Sequence, residues 1–262
     1  MNYRIVVNIL GKVFVLEAAL MIPSVIVSII YGEGDLSSFL ITMVILAAMG
    51  GLFMLVKPRK KKLLARDGMM VVSLAWVSLA LFGGLPFYFN GAIPSYVDCI
   101  FESISGFTTT GSSILTDVEA LPKGLLFWRS FTHWFGGMGV LVFFLALLPS
   151  MSGSTLHILR AESPGPAPGK LVPKIKETSK ILYAIYFVLT VICTLCLIFA
   201  GMPVYDSILH ALGTAGTGGF GIKNNSIAYY NSPLIYNILS IFMLIFGVNF
   251  TLYFYIIRRN FT

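Results

Sequence analysis

Two short stretches of this chain combine residue types that can handle a partly dehydrated ion. One reads Gly106-Phe107-Thr108-Thr109-Thr110-Gly111-Ser112-Ser113; the other reads Gly213-Thr214-Ala215-Gly216-Thr217-Gly218-Gly219-Phe220-Gly221. Glycine tolerates positive φ, so a chain rich in it can turn successive carbonyls to one side. A ring of such carbonyls replaces the hydration shell of a monovalent cation, and threonine hydroxyls add further oxygen ligands. Neither stretch holds a carboxylate, which suits weak, fast-exchanging binding of a singly charged ion. Ordinary surface loops also use Gly, Thr and Ser. Here, however, each stretch follows a short semi-polar segment, Ser95–Phe107 and Val204–Leu212, too brief to cross a bilayer and too apolar for a plain loop. That is the outline of a re-entrant half-helix, whose C-terminal end directs negative potential toward a cation. The candidate ion ligands are Thr109, Thr110, Gly111, Thr217, Gly218 and Gly219.

The elements that must carry these turns follow from composition. The 262 residues are 57% hydrophobic and 11% charged, against about a quarter charged in soluble domains. A bilayer core of about 30 Å takes roughly 20 apolar residues as a helix. Six stretches qualify: Ile5–Ile30, Leu36–Val56, Met69–Phe89, Leu125–Leu148, Ile181–Ala200 and Leu234–Ile257. An all-α, multi-pass membrane protein is expected, and irregular backbone at membrane depth is tolerated there only where protein or a water-filled cavity surrounds it. The net charge of +7 sits between spans rather than on a nucleic-acid face. Six Lys and Arg residues lie in Lys57–Arg66, five in Pro149–Lys180, and Arg258 and Arg259 close the chain, whereas the alternate loops hold Glu33, Asp35, Lys123, Arg129 and Lys223. The positive-inside rule then puts both termini in the cytoplasm and both half-helices outside.

A shift of 108 residues superposes the two turns. It lays Asp98 on Asp206, Ile100 on Ile208, Thr109 on Thr217, Gly111 on Gly219, Ile114 on Ile222 and, in the following spans, Gly139 on Gly247. The chain is thus expected to divide into 1–66 (two extra spans and a basic loop), 67–150 (first span–pore-loop–span repeat), 151–180 (a basic, proline-rich cytoplasmic connector) and 181–262 (second repeat). Several other residues carry expectations. Asp98 and Asp206 begin the half-helices and read as caps. Glu102 and His210 occupy equivalent places behind the turns and read as structural support. Arg129 reads as an interfacial anchor beside Trp128, and Gly136, Gly137 and Gly139 as sites of close helix contact. Cys193 and Cys196 have CxxC spacing but sit in an apolar run, so they read as packing residues. No phosphate loop, metal-ligand cluster or nucleophile–base pair is present, and no enzyme and no tightly bound cofactor are expected.

Phe107-Thr108-Thr109-Thr110-Gly111, then Phe127-Trp128-Arg129-Ser130 and Trp134-Phe135-Gly136-Gly137-Met138-Gly139, resemble the Trk/Ktr/HKT superfamily of potassium transporters. Ala161-Glu162-Ser163-Pro164-Gly165-Pro166, with Pro173 and Thr178-Ser179-Lys180, is most similar to its bacterial TrkH branch. The resemblance implies a potassium-channel-like pore of four span–pore-loop–span units preceded by two spans, with one key glycine per filter turn. Those positions correspond to Gly111 and to Gly219, with Gly218 a competitor. It implies K+ as the transported ion, uptake across the cell inner membrane, and a cytoplasmic nucleotide-binding regulatory subunit docking on the connector. Only two of the four units are present. The chain therefore reads as a fragment lacking the C-terminal half, or as one of two copies that pair as a homodimer; partners beyond these are the lipid bilayer and no nucleic acid. A non-conducting truncated subunit that binds or regulates full-length partners, and a sodium-permeable transporter of the same family, are the rival readings.

Overall fold

The computed structural model describes residues 2–57, 65–137, 139, 175–250 and 252–253. Most of the basic Lys57–Arg66 loop, the connector through residue 174, the end of the fourth expected span and Arg258–Arg259 lie outside the described residues. All regular structure among the described residues is helical: α1 Tyr3–Leu20, α2 Ile22–Tyr31, α3 Leu36–Met54, α4 Ala65–Gly83, α5 Leu85–Asn90, α6 Tyr96–Phe107, α7 Lys123–Gly137, α8 Ile175–Phe199, α9 Val204–Ala215, a 3₁₀ turn Ser226–Tyr230 and α10 Pro233–Gly247. Among the described residues four segments are long and apolar enough to cross a membrane: Tyr3–Tyr31, Leu36–Met54, Arg66–Asn90 and Ile181–Phe199; Pro233–Gly247 is a shorter apolar helix.

Two expected spans are interrupted. Residues 3–31 break at Met21, where Pro23 enters the first turn of α2, and residues 65–90 break at Gly84, where Pro86 enters the first turn of α5. A proline cannot donate to the preceding turn but is accepted at a helix start. A bilayer demands apolar side chains on both sides of such a break, so the hydropathy of the sequence runs through it unmarked.

The chain forms two compact units. The first comprises Met1–Ile104 and Leu121–Trp128. Its α1 and α3 touch through Gly11 and Gly50: a Cβ on either would lie 2.8 Å from the other's carbonyl oxygen. Small residues allow this backbone approach, the means by which apolar helices associate in lipid. Phe14 completes the contact, its ring centroid 5.4 Å from Phe53 and 5.0 Å from Phe82. The acidic turn before α3 has a second task. Asp35, fully buried, accepts from Ser28 Oγ and from the Leu125 N–H at 3.1 Å, while Glu33 accepts from the Lys123 N–H at 2.6 Å. Both carboxylates thereby cap the start of α7, where orphan N–H groups and the helix dipole favour negative charge. Gly124 leaves the space that Asp35 fills.

The second unit comprises Ser105–Ala120 and, of the other described residues, 129–137, 139 and those from 175 onward. Its core gathers Tyr186, Cys193 and Leu197 of α8, Ala211 and Ala215 of α9, and Leu239, Phe242 and Phe246 of α10. Tyr186 donates to the Trp134 carbonyl at 2.9 Å and Trp134 Nε1 to Thr190 Oγ1 at 3.0 Å, which joins α7 to α8. Cys193 is a packing residue of this core, as expected. Outward faces of the long helices stay apolar, with Ile29, Val44, Val188 and Phe199 exposed. In water such a surface is a liability; in hydrocarbon it is the solvated surface.

Candidate functional site

The two half-helices are equal in length and in register. Tyr96–Phe107 and Val204–Ala215 are 12 residues each, and their bounds differ by the same 108 residues that relate the turns. Equivalent hydrogen bonds open them, Cys99 N–H to Ser95 O at 3.0 Å and Ser207 N–H to Pro203 O at 2.8 Å. Equivalent bonds close them, Thr109 N–H to Gly106 O at 3.0 Å and Thr217 N–H to Thr214 O at 2.9 Å. The following helices keep a slightly different spacing: α7 begins at Lys123 and α10 at Pro233, so the second connection is two residues longer.

The six candidate ligands all fall in the second unit, directly after these helices. Thr109 (φ 55°), Gly111 (φ 77°), Thr217 (φ 60°) and Gly219 (φ 67°) have left-handed backbone, whereas Thr110 and Gly218 between them do not. A left-handed conformation costs a β-branched residue energy that the surroundings must supply. In the first turn part of that support is local. Thr110 donates its N–H to Ser105 O at 3.0 Å, Ser105 Oγ donates to Ser112 O, and the Thr108 and Thr110 hydroxyls meet at 2.8 Å. The two turns abut. A Cβ on Gly111 would overlap the Gly218 carbonyl oxygen, and one on Gly218 would stand 2.5 Å from the Thr109 carbonyl oxygen. Only glycine fits at these two places.

The second turn is held largely by α7. Arg129 and His133, one helical turn apart, share a face. Arg129 Nη1 donates to Gly221 O at 2.6 Å and its guanidinium lies 3.4 Å from the Phe220 ring centroid. The arginine is only 2% exposed, so it is not the interfacial anchor expected beside Trp128. Trp128 is itself buried in the first unit, donating to Gly83 O at 2.9 Å. His133 accepts the Gly218 N–H on Nε2 at 3.2 Å and stacks on Phe220 with centroids 5.2 Å apart. Sequence reasoning missed His133 altogether. The Arg-x-x-x-His spacing was its one visible trace, and its partner is a backbone group 85 positions away.

The glycines of α7 are contact sites. A Cβ on Gly136 would overlap the Phe107 carbonyl, and one on Gly137 would lie 3.0 Å from Gly216 Cα. The aspartates are not caps. Asp98 lies within the first turn of α6, its N–H bound by Ser95 Oγ at 3.4 Å, and Asp206 lies within the first turn of α9, accepting from Tyr230 at 2.8 Å. Both still place negative charge at a helix start. Glu102 and His210 are buried, and the His210 ring packs edge-on to Tyr230, 5.4 Å away. On the loop outside the turns, Glu119 accepts from Lys223 Nζ at 3.1 Å and from the Asn224 N–H at 3.2 Å, and Asn224 Nδ2 donates to Asp117 at 2.8 Å. The Asn224 backbone bond, then the Lys223 bond, hold the Glu119 carboxyl below the usual carboxylate range. No group of three or more metal-ligating side chains occurs among the described residues.

Long apolar helices with apolar outward faces, and polar turns at the ends of paired short helices, define an all-α integral membrane protein. The chain belongs to the TrkH family of cation transport proteins, whose pattern matches residues 36–261; it is a family of transporters, not enzymes. It is 40% identical over 257 residues to the Trk system potassium uptake protein TrkH of Salmonella typhimurium, covering 97% of this chain and 53% of that one. It is 33% identical over 262 residues to the potassium uptake protein TrkG of Escherichia coli, 99% and 54% of the two chains. The crystal structure of the potassium transporter TrkH from Vibrio parahaemolyticus matches with TM-score 0.85 and 35% identity, over 99% of this chain and 53% of that one. The chain thus spans about half the length of the relatives it matches.

Proposed function

We propose that this chain takes part in potassium uptake across the cytoplasmic membrane, supplying two of four segments of a filter made from backbone carbonyls. K+ would pass along Thr109, Thr110 and Gly111 and along Thr217, Gly218 and Gly219, without a covalent step and without a bound cofactor. The observation that carries this reading is the matched backbone of the two turns, with left-handed residues at positions 109, 111, 217 and 219 and ordinary backbone between them. Alternation of the two hands lets neighbouring carbonyls face one side, as dehydrating a monovalent cation requires. The names of the relatives, potassium uptake proteins, favour K+.

On this reading residues 1–66 are two accessory spans and a basic loop, 67–150 and 181–262 are pore repeats, and 151–180 is a connector that faces the cytoplasm, as do both termini. A regulatory nucleotide-binding partner would dock there. Completion of the ring calls for two more segments, from a C-terminal half or from a second copy. Purified chain in liposomes, alone and with a co-expressed C-terminal half of a relative, tests this. Potassium flux that a Gly111→Ala, Gly219→Ala double substitution abolishes, with K+ preferred over Na+, is the expected result. Flux in neither preparation, from protein that is folded and inserted, would overturn it in favour of a non-conducting subunit. Equal flux of K+ and Na+ would favour the sodium-permeable reading.

A further inference from the structure

We propose that Ser105 is a positioning residue of the first turn: its hydroxyl turns the Ser112 carbonyl back onto α6 and so ends the row of ion-facing carbonyls at Gly111. The inference rests on the filter reading for its consequence but not for its geometry. The end of α6 carries the two paired bonds of a Schellman motif. The Thr109 N–H is given to Gly106 O and the Thr110 N–H to Ser105 O, both at 3.0 Å, with Thr109 in the left-handed conformation. Every described peptide is trans, so binding the Thr110 N–H to the half-helix aims the Thr109 oxygen away from it. The Ser105 side chain then takes a second hold. Its Oγ, on a residue only 3% exposed, donates to Ser112 O. One buried residue thus fastens the turn on both sides of Gly111, by an amide before it and a carbonyl after it. A carbonyl that faces the half-helix in this way does not face an ion.

The second turn takes a similar path without a hydroxyl. By the 108-residue register Ser105 corresponds to Gly213, Thr110 to Gly218 and Ser112 to Phe220. The end of α9 keeps one bond of the motif, Thr217 N–H to Thr214 O at 2.9 Å, but the Gly218 N–H goes to His133 Nε2 at 3.2 Å instead of to the half-helix. The Phe220 carbonyl also turns back, so closely that a Cβ on Gly213 would lie 2.9 Å from its oxygen. Here the residue is held by its ring, which packs against Arg129 and His133. The next carbonyl, of Gly221, is taken by Arg129 Nη1. The first turn has a serine where the second has that ring, and a serine side chain offers no aromatic face to grip. Its carbonyl is fastened through Ser105 instead. Both rows therefore stop at equivalent glycines, Gly111 and Gly219, one by means of a hydroxyl and the other by means of an aromatic ring.

The test uses the two Ser-Ser pairs of the chain, Ser37–Ser38 and Ser112–Ser113. Serine labelled with carbon-13 at the carbonyl and nitrogen-15 at the amide gives one carbonyl–amide correlation for each pair in solid-state NMR of the protein in lipid. One reads the Ser112 carbonyl and the other is an internal reference. Ser105→Ala, which shrinks the side chain and keeps the helix, should move the Ser112 carbonyl upfield, toward a weaker hydrogen bond, and leave Ser37 in place. Ser105→Thr, which retains the hydroxyl, should hold the wild-type position. A Ser112 carbonyl that stays in place in the Ala variant would overturn the proposal, and this comparison decides even where the Thr protein does not fold. In liposomes with the co-expressed C-terminal half, the ratio of K+ to Na+ flux should fall about fivefold in the Ala variant, the worth of one net hydrogen bond, and recover in the Thr variant. An unchanged ratio beside a moved carbonyl overturns the positioning role. Wild type without flux, with the carbonyl shifts as expected, leaves the hydroxyl hook standing and removes the filter.

Discussion

Three glycines with nearly the same backbone angle offer a graded experiment: Gly32 (φ 65°), Gly219 (φ 67°) and Gly111 (φ 77°). Replacing each by alanine imposes the same left-handed strain, about 1–2 kcal/mol. What a methyl group then meets differs. At Gly32 nothing lies within 4 Å; at Gly219 the one neighbour is the flexible Met243 Cε at 3.4 Å; at Gly111 the methyl falls on the Gly218 carbonyl oxygen, with Gly218 Cα 3.4 Å away. That oxygen belongs to a residue whose N–H is held by His133, so it does not swing aside freely, and overpacking of this kind adds about 1–3 kcal/mol. Gly32→Ala and Gly219→Ala should therefore each cost about 1–2 kcal/mol, and Gly111→Ala about 2–5 kcal/mol, from the two sources together. At about 1.4 kcal/mol per decade the expected gap is on the order of tenfold in the unfolding equilibrium. Unfolding in mixed detergent–SDS micelles, followed by the fluorescence of Trp76, Trp128 and Trp134, measures all three on one scale. Equal losses for the three variants, or a larger loss at Gly219 than at Gly111, would refute the abutting of the two turns.

Asp35→Ala should leave the buried Leu125 N–H without its acceptor and lower stability by about 1–3 kcal/mol, a loss that Asp35→Asn partly restores in the same unfolding assay. Gly50→Leu should force α1 and α3 apart and cut the yield of monodisperse protein in size-exclusion chromatography, whereas Gly51→Leu, which meets nothing within 4 Å, should be tolerated. The Glu119 carboxyl has a folded value below its unfolded one because Asn224 and Lys223 bind its charged form. Its contribution is therefore complete above the ordinary carboxylate range and fades as pH falls through the lowered value. Proteolytic nicking of the 117–120 and 223–225 loops should accordingly increase on acidification in wild type, and a Glu119→Gln variant should be nicked equally at high and low pH.

Much of this architecture is legible in the sequence because the bilayer imposes a length rule and a repeat imposes a register rule. The half-helices read as Ser95–Phe107 and Val204–Leu212 are observed as Tyr96–Phe107 and Val204–Ala215; the hydrogen bonds that open and close them are paired across 108 residues, as is the backbone hand at Thr109 and Thr217 and at Gly111 and Gly219. Helix breaks at Met21 and Gly84 were hidden, since lipid exacts apolar residues regardless of helix direction and one proline at a helix start leaves that pattern intact. The acidic pair Glu33 and Asp35 counts toward topology in a charge tally, yet its work as a cap on α7 depends on residues 90 positions later. Arg129 seemed interfacial because a tryptophan precedes it. Its real partners, a carbonyl and an aromatic face, belong to a segment that no local window reaches.

The order of residues along the chain gives the α7 brace a further meaning. Arg129 and His133 leave the ribosome 92 and 85 residues ahead of the groups they hold, Gly221 and Gly218. At about 5–20 residues per second these intervals are on the order of 4–18 s. The second turn is thus synthesised onto a template that is already inserted, and a β-branched residue such as Thr217 can be pressed into an unfavourable conformation by contacts that predate it. The first turn takes its Thr110 N–H bond from Ser105, made only moments before. A nascent chain arrested between residues 137 and 213 should therefore already carry a formed first turn, together with an arginine still awaiting the Gly221 carbonyl.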